Sequence, residues 1–212
     1  MESTLYQNSP DGLIVIETLR FDARDGFVRL GLHLDRAAQT CEMLAISFDR
    51  AEALQRLGAA VGDETCRVRL TIAKSGEINV ETFAFIPITR NWNIAIAPRR
   101  LQSDDPWLAV KTNQRVGYDT DRANLPDGVD EYIYQNERGE LCEGTITNLF
   151  VELDGQLFTP ALQSGLLPGV FRQSLIDDGR AKEAILTLDD LKRADAIYVG
   201  NSLRGLIDAK LI

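Results

Sequence analysis

Five short stretches of the chain hold residues whose types and spacing could do chemistry. In LAVKTNQRVGYD, Lys111 ends an apolar run and precedes polar residues. Partial burial at such a place lowers a lysine pKa and makes the amine usable for Schiff-base chemistry. A solvated loop lysine is the plain alternative. In EGTITNLF, residues 143–150, Glu143 opens a segment that turns apolar, and Asn148 lies within it. A carboxylate and an amide buried there need partners, and a cofactor's protonated ring nitrogen would satisfy Glu143. An exposed strand-end glutamate stands against that reading.

The remaining three stretches suit an anion. SGLLPGVFRQS, residues 164–174, places a glycine-containing turn before a helix, whose first N–H groups are open to a phosphate. VGNSLRGL, residues 199–206, ends a strand in Asn201 and Ser202, with Gly205 after them, and could offer amide and hydroxyl donors. HLDR, residues 33–36, sets Arg36 on the polar side of an amphipathic helix, where a guanidinium can grip phosphate with two bonds. An ordinary helix start, a loop and a surface arginine are the respective alternatives.

The elements that must carry these residues fall into two halves. LIVIETLRF reads as a strand, residues 22–26 as a turn and 27–30 as a return strand. LHLDRAAQTCEML has helical spacing, and a second helix covers 50–61 with Gly62 as its stop. CRVRLTIA and INVETFAFI pair around the KSGE turn, and WNIAIA adds a strand before Pro98. Residues 99–106 are polar and proline-bounded, so they are expected to link a small α+β domain, 1–98, to a larger one, 107–212. In the second half, strands are expected at 131–135 and 142–151 and at QLFTP, a helix at 169–178, and a final strand at DAIYVGN. Strands, hairpins and a few helices in this order predict an α+β fold with mixed sheets rather than a doubly wound parallel sheet.

Composition narrows the function. The chain has 212 residues and a net charge of −9, with 44% hydrophobic residues. That apolar content builds a core and argues against disorder. The acidic balance argues against nucleic-acid binding, which needs clustered Lys and Arg. No apolar run is long enough for a membrane span, and the polar N-terminal dozen residues do not read as a signal peptide. Cys41, Cys66 and Cys142 are too few and too widely spaced for a disulfide framework, so reduced thiols in a cytoplasmic protein are expected. His33 is the sole histidine, which disfavours hydrolytic triads and histidine-based metal sites.

Taken together and in order, HLDR, KTNQR with YD, EGTITNLF, LLPGVFR and GNSLRGL resemble the class IV aminotransferase family, the fold-type IV enzymes dependent on pyridoxal 5′-phosphate. The likeness runs over about residues 13–206. IETLRF, KTNQR–YD and NERGE–EGTITNLF are most similar to its aminodeoxychorismate lyase branch. The resemblance implies a two-domain α+β architecture like that of D-amino acid aminotransferase. It implies Lys111 as the Schiff-base lysine and proton carrier, and Glu143 as the acid facing the pyridine nitrogen. Arg36, the backbone N–H groups of Val170 and Phe171, and the Ser202 hydroxyl would hold the phosphate, with Asn148 in support.

The same resemblance implies a small-molecule amine or amino-acid substrate and a homodimer. For the lyase branch the substrate carries two carboxylates, and Arg115 and Arg204 are the candidates to meet them, by position near Lys111 and Ser202. Such a lyase converts 4-amino-4-deoxychorismate to 4-aminobenzoate and pyruvate, beside an aminodeoxychorismate synthase. A class IV aminotransferase acting on branched-chain or other amino acids would use the same cofactor residues, so these cannot separate the two activities. The tyrosine that branched-chain aminotransferases place soon after the lysine has no clear equivalent; Tyr118 lies later.

Overall fold

A computed structural model describes residues 9–212. Residues 1–8, part of the stretch read above as lacking a signal peptide, lie outside the described residues. The chain forms two compact units, one of residues up to Pro87 with Val110–Gln114, the other of Ile88–Ala109 with Arg115–Ile212. No described helix is long and apolar enough to cross a membrane.

The first unit contains β1 (Ile14–Asp22), β2 (Gly26–Phe27), α1 (Leu30–Met43), α2 (Arg50–Ala60), β3 (Cys66–Ala73) and β4 (Ile78–Ala84). Its sheet is antiparallel, in the order β2-β1-β3-β4. Two-residue alternation puts Val15, Glu17 and Leu19 of β1 on one buried face. Leu34, Ala37 and Cys41 of α1 and Ala53 and Leu57 of α2 are also buried in this unit. The α2 helix starts where the Asp49 side chain accepts the N–H groups of Ala51 and Glu52, at 2.9 and 3.0 Å.

The segment around Lys111 is part of this sheet. Ile16 N–H donates to the Lys111 carbonyl at 2.9 Å, and Asn113 N–H to the Ile14 carbonyl at 3.0 Å. Val15 and Thr112 form an antiparallel bridge. Because β3 occupies one edge of β1 along nearly its whole length, the segment takes the other edge, where β2 covers only Phe21 and Asp22.

The second unit contains β5 (Trp92–Leu101), α3 (Val116–Ala123), β6 (Glu131–Asn136), β7 (Leu141–Gly144), β8 (Asn148–Leu153) and β9 (Gln156–Pro160). It continues with α4 (Val170–Asp177), β10 (Lys182–Ala184), α5 (Leu188–Lys192), β11 (Ala196–Asn201) and β12 (Gly205–Leu211). The strand order is β10-β9-β8-β11-β12-β5-β6-β7, and β7 also pairs with β8. Six strands therefore close into a ring, which removes free edges. The seam is the single pair Glu143↔Asn148. The sheet is mixed: β5 runs parallel to β6 and β12, while β11 runs antiparallel to both its neighbours, β8 and β12. Ile94, Ile133, Leu141, Leu149, Val151 and Val199 share one fully buried cluster. Burial of each such side chain contributes about 1.5–3 kcal/mol.

Several expected boundaries move. The expected linker at 99–106 begins inside β5, which crosses Pro98 and reaches Leu101. The β5–β6 register shifts between Ile96 and Arg100, an irregularity where a residue without an N–H is tolerated. The units thus divide elsewhere than at 98–107: β5 joins the second unit and Val110–Gln114 the first. The return strand expected at 27–30 ends at Phe27, because α1 already begins at Leu30. The strand expected over 142–151 is two strands, broken by a bend at 145–147. The sequence does not announce helix α3, because its eight residues include Gly117, Asp119, Thr120 and Asp121, all weak helix formers. The final strand is β12 rather than β11. Asn201 and Gly205 pair across a three-residue loop, with Gly205 at φ 76°, a left-handed conformation that glycine adopts without strain.

Candidate active site

In the first unit, three side chains converge on β1. Glu17 is 1% exposed and accepts from Arg36 twice, Nε to Oε1 at 2.8 Å and Nη2 to Oε2 at 2.7 Å. His33 Nδ1 lies 2.6 Å from Glu17 Oε2. Arg36 is buried, not on the solvent side expected for it. The reason is its partner: a buried arginine is stable where a carboxylate matches its charge and geometry. Burial alone would raise the Glu17 pKa; the Arg36 charge and the His33 hydrogen bond outweigh it and bring it from 4.5 to about 2. The His33 pKa is lowered chiefly by burial, against the opposing pull of Glu17, with the charges of Arg36 and Lys111 adding to the fall. Lys111 is half-buried, and its charge is felt at His33.

In the second unit, Glu143 and Asn148 face each other across the seam and both grip Leu167. Glu143 Oε2 accepts the Leu167 N–H at 3.2 Å, and Asn148 Nδ2 donates to the Leu167 carbonyl at 3.1 Å. The chain then passes Pro168 and Gly169 into α4. A Cβ on Gly169 would lie 1.8 Å from Asn148 Oδ1, so only glycine permits this approach. Val170 and Phe171, both buried, begin α4, whose N-terminus has no side-chain cap hydrogen bond. The Tyr118 hydroxyl donates to Glu143 Oε1 at 2.8 Å. Burial first, and the Glu143 charge second, push the Tyr118 pKa far above its ordinary value, so the phenol keeps its proton.

Glu131 holds the bend between β7 and β8. It is fully buried, and its Oε1 accepts from Thr145 N at 3.0 Å and Thr145 Oγ1 at 2.5 Å. Its Oε2 accepts from Ile146 N at 3.2 Å and Thr147 Oγ1 at 3.1 Å. Arg115 Nη2 donates to the Thr145 carbonyl at 2.8 Å and its Nε to Asp119 at 2.7 Å. Ser202 is buried in the β11–β12 loop, and Arg204 follows it, its N–H donating to Asn201 Oδ1 at 3.0 Å.

Glu17, His33, Glu131 and Tyr118 were not among the residues selected from sequence. Glu17 had a visible signal: in VIETL the two-residue alternation puts a carboxylate on the apolar face, between Val15 and Leu19. The three thiols are free. Burial pushes the Cys41 and Cys142 pKa values up to about 12, which makes both poor nucleophiles.

The donor set fits a phosphorylated pyridine cofactor. A buried carboxylate suits a protonated ring nitrogen, and a helix start whose N-cap residue is a glycine, with no side chain in the way, suits a phosphate dianion. Residues 14–212 match the amino-transferase class IV family model, and the chain belongs to that family. It is an enzyme of a pyridoxal 5′-phosphate-dependent family with an α+β, fold-type IV architecture. A solved structure named “Putative amino-acid aminotransferase”, from Mesorhizobium loti, is 41% identical, covers 94% of this chain and 100% of its own, and superposes with a TM-score of 0.90. A Schizosaccharomyces pombe protein named “Putative aminodeoxychorismate lyase” is 27% identical over 93% of this chain and 89% of its own. A Thermotoga maritima protein named “Probable branched-chain-amino-acid aminotransferase” is 25% identical over 99% of this chain and 81% of its own.

Proposed function

We propose that this enzyme is a lyase that converts 4-amino-4-deoxychorismate to 4-aminobenzoate and pyruvate. The observation carrying the reaction class is buried Glu143, held by the Tyr118 hydroxyl and the Leu167 N–H close to the start of α4. The likeness to the S. pombe protein along most of both chains supports the substrate.

Pyridoxal 5′-phosphate, when bound, supplies an electron sink for charge left on the amine-bearing carbon. Glu143 keeps a proton on the ring nitrogen, and its two donors keep the carboxylate aimed. Arg36, the N–H groups of Val170 and Phe171, and the Ser202 hydroxyl hold the phosphate, while Asn148 fixes the approach to α4. Lys111 Nζ takes the proton from the amine-bearing carbon of the substrate. The bond between the neighbouring ring carbon and the enolpyruvyl oxygen then breaks and the ring becomes aromatic; the departing enolpyruvate gains on its methylene carbon the proton that Lys111 removed, and leaves as pyruvate. Arg204, and any donor of Arg115 beyond those spent on Thr145 and Asp119, meet the substrate carboxylates. The working form in this reading is a cytoplasmic homodimer beside an aminodeoxychorismate synthase.

A second reading is an amino-acid transaminase, favoured by the 41% identity to the M. loti structure. There Lys111 would hold the proton taken from the amino-acid substrate and pass it on, and a 2-oxo acid would be the second substrate. A paired assay separates the two. One arm generates aminodeoxychorismate from chorismate and ammonia with a synthase and follows 4-aminobenzoate. The other offers branched-chain amino acids with 2-oxoglutarate and follows glutamate. Product in the first arm, lost in Lys111→Ala, supports the lyase; turnover in the second arm alone overturns it.

A further inference from the structure

The buried Glu17–His33–Arg36 cluster contains two side chains that the reaction above does not use. His33 and Arg36 stand three residues apart on α1, the spacing that puts them on one helix face, and both reach one carboxylate on β1. The contact with Arg36 is side-on, through Nε and Nη2, at 2.8 and 2.7 Å. A planar guanidinium held by those two nitrogens cannot rotate, and its Nη1 donors are directed away from the carboxylate. His33 fixes the carboxylate in turn, at 2.6 Å from Oε2. A free arginine side chain has about 2 kcal/mol of rotamer entropy to lose on gripping a ligand. One already clamped in a folded core has lost it beforehand.

We infer that Glu17 and His33 are positioning residues that aim the Arg36 guanidinium at the cofactor phosphate. The inference rests on the reading that Arg36 takes that phosphate. It also gives β1 a double role: Ile16 holds the Lys111 carbonyl by its N–H, and the next residue, Glu17, aims Arg36. Glu17 partly neutralises Arg36, so bare electrostatics predicts that removing the carboxylate charge would tighten phosphate binding. Pre-organisation predicts the reverse.

The test compares the binding of pyridoxal 5′-phosphate with that of pyridoxal, which lacks the phosphate, to the apo form of the full chain. Both are followed by visible absorbance. Glu17→Gln should weaken binding of the phosphorylated form by about tenfold or more, the size of one lost charged hydrogen bond, and barely move pyridoxal. Equal losses for both ligands would mean a merely structural role, and tighter binding of the phosphorylated form would mean that charge governs; either overturns the inference. Arg36→Gln is the control. If it shows no phosphate-selective loss, the assignment of Arg36 falls and takes the inference with it. If it does and Glu17→Gln does not, only the inference falls. Should Glu17→Gln not fold, His33→Leu, which removes the donor, should give a smaller selective loss, and His33→Asn, which keeps an N–H near Nδ1, should restore binding. Absence of that selective loss in His33→Leu overturns the inference as well.

Discussion

The Tyr118 hydroxyl donates to Glu143 Oε1 across 2.8 Å, while the Tyr118 ring meets the Tyr134 ring edge to face at 5.0 Å. Helix α3 has no buried residue by whole-residue exposure, yet it delivers this one phenol to a buried carboxylate. Tyr118→Phe keeps the ring packing and removes the donor. Leaving a buried acceptor short of a partner costs about 1–3 kcal/mol. Urea unfolding should show a loss of that size, and an unchanged midpoint would mean that the bond contributes nothing net.

Gly169 tests the grip of Asn148 on the approach to α4. Its φ of −67° suits alanine, so any cost of Gly169→Ala is steric, arising at the 1.8 Å approach to Asn148 Oδ1. The substitution should destabilise the fold by about 2 kcal/mol, within the range for overpacking. Adding Asn148→Ala should recover part of that loss, because the clash partner is gone. Strictly additive effects in the double variant would refute the coupling.

Glu131 accepts four hydrogen bonds from Thr145, Ile146 and Thr147. In Glu131→Gln one oxygen becomes an amide donor that faces donors. A loss of about 2–4 kcal/mol is expected from charged bonds lost in a buried site. The bend would loosen next to Glu143, so cofactor affinity should fall together with stability. A variant as stable as the parent would show that the bend holds without the carboxylate.

Acid should weaken the first unit in two stages. The unfolded chain takes up a proton on its histidine below about pH 6.5, while the folded chain resists, because the His33 pKa is lowered; stability is therefore lost as pH falls from there. Glu17, at about 2 against 4.5, contributes stability that is present above pH 4.5 and lost on falling toward 2. That second contribution is about 3 kcal/mol. His33 is the only histidine, so His33→Asn should flatten the stability profile just below about pH 6.5 and leave the lower stage. A variant profile that still falls in the upper window would assign the effect to another group.

Much of the site was legible because it lies in short local patterns. EGTITNLF puts Glu143 and Asn148 five residues apart, and a bend between them lets them face each other. LLPGVFR announces a helix start through Pro168 and Gly169. The partners were less legible. Tyr118 reaches Glu143 over 25 residues of separation, and Glu17 reaches Arg36 over 19. No local periodicity encodes which buried donor meets which carboxylate. For Glu17 the alternation of β1 did give the face, though not the partner.

By itself the sequence determined the element types, the acidic and apolar balance, and the motifs that mark the family, since each depends on residues within a turn or a strand of one another. Tertiary structure decided where those elements pair. Lys111 reads as the opening of the second half, yet its backbone lies along β1, bonded to Ile16 at a sequence separation of 95. The loop-closure cost grows only slowly with length, so a long connection to an unoccupied strand edge is allowed. Which edge is unoccupied depends on the two-residue length of β2 and the full-length pairing of β3, and both are set only once the sheet has formed.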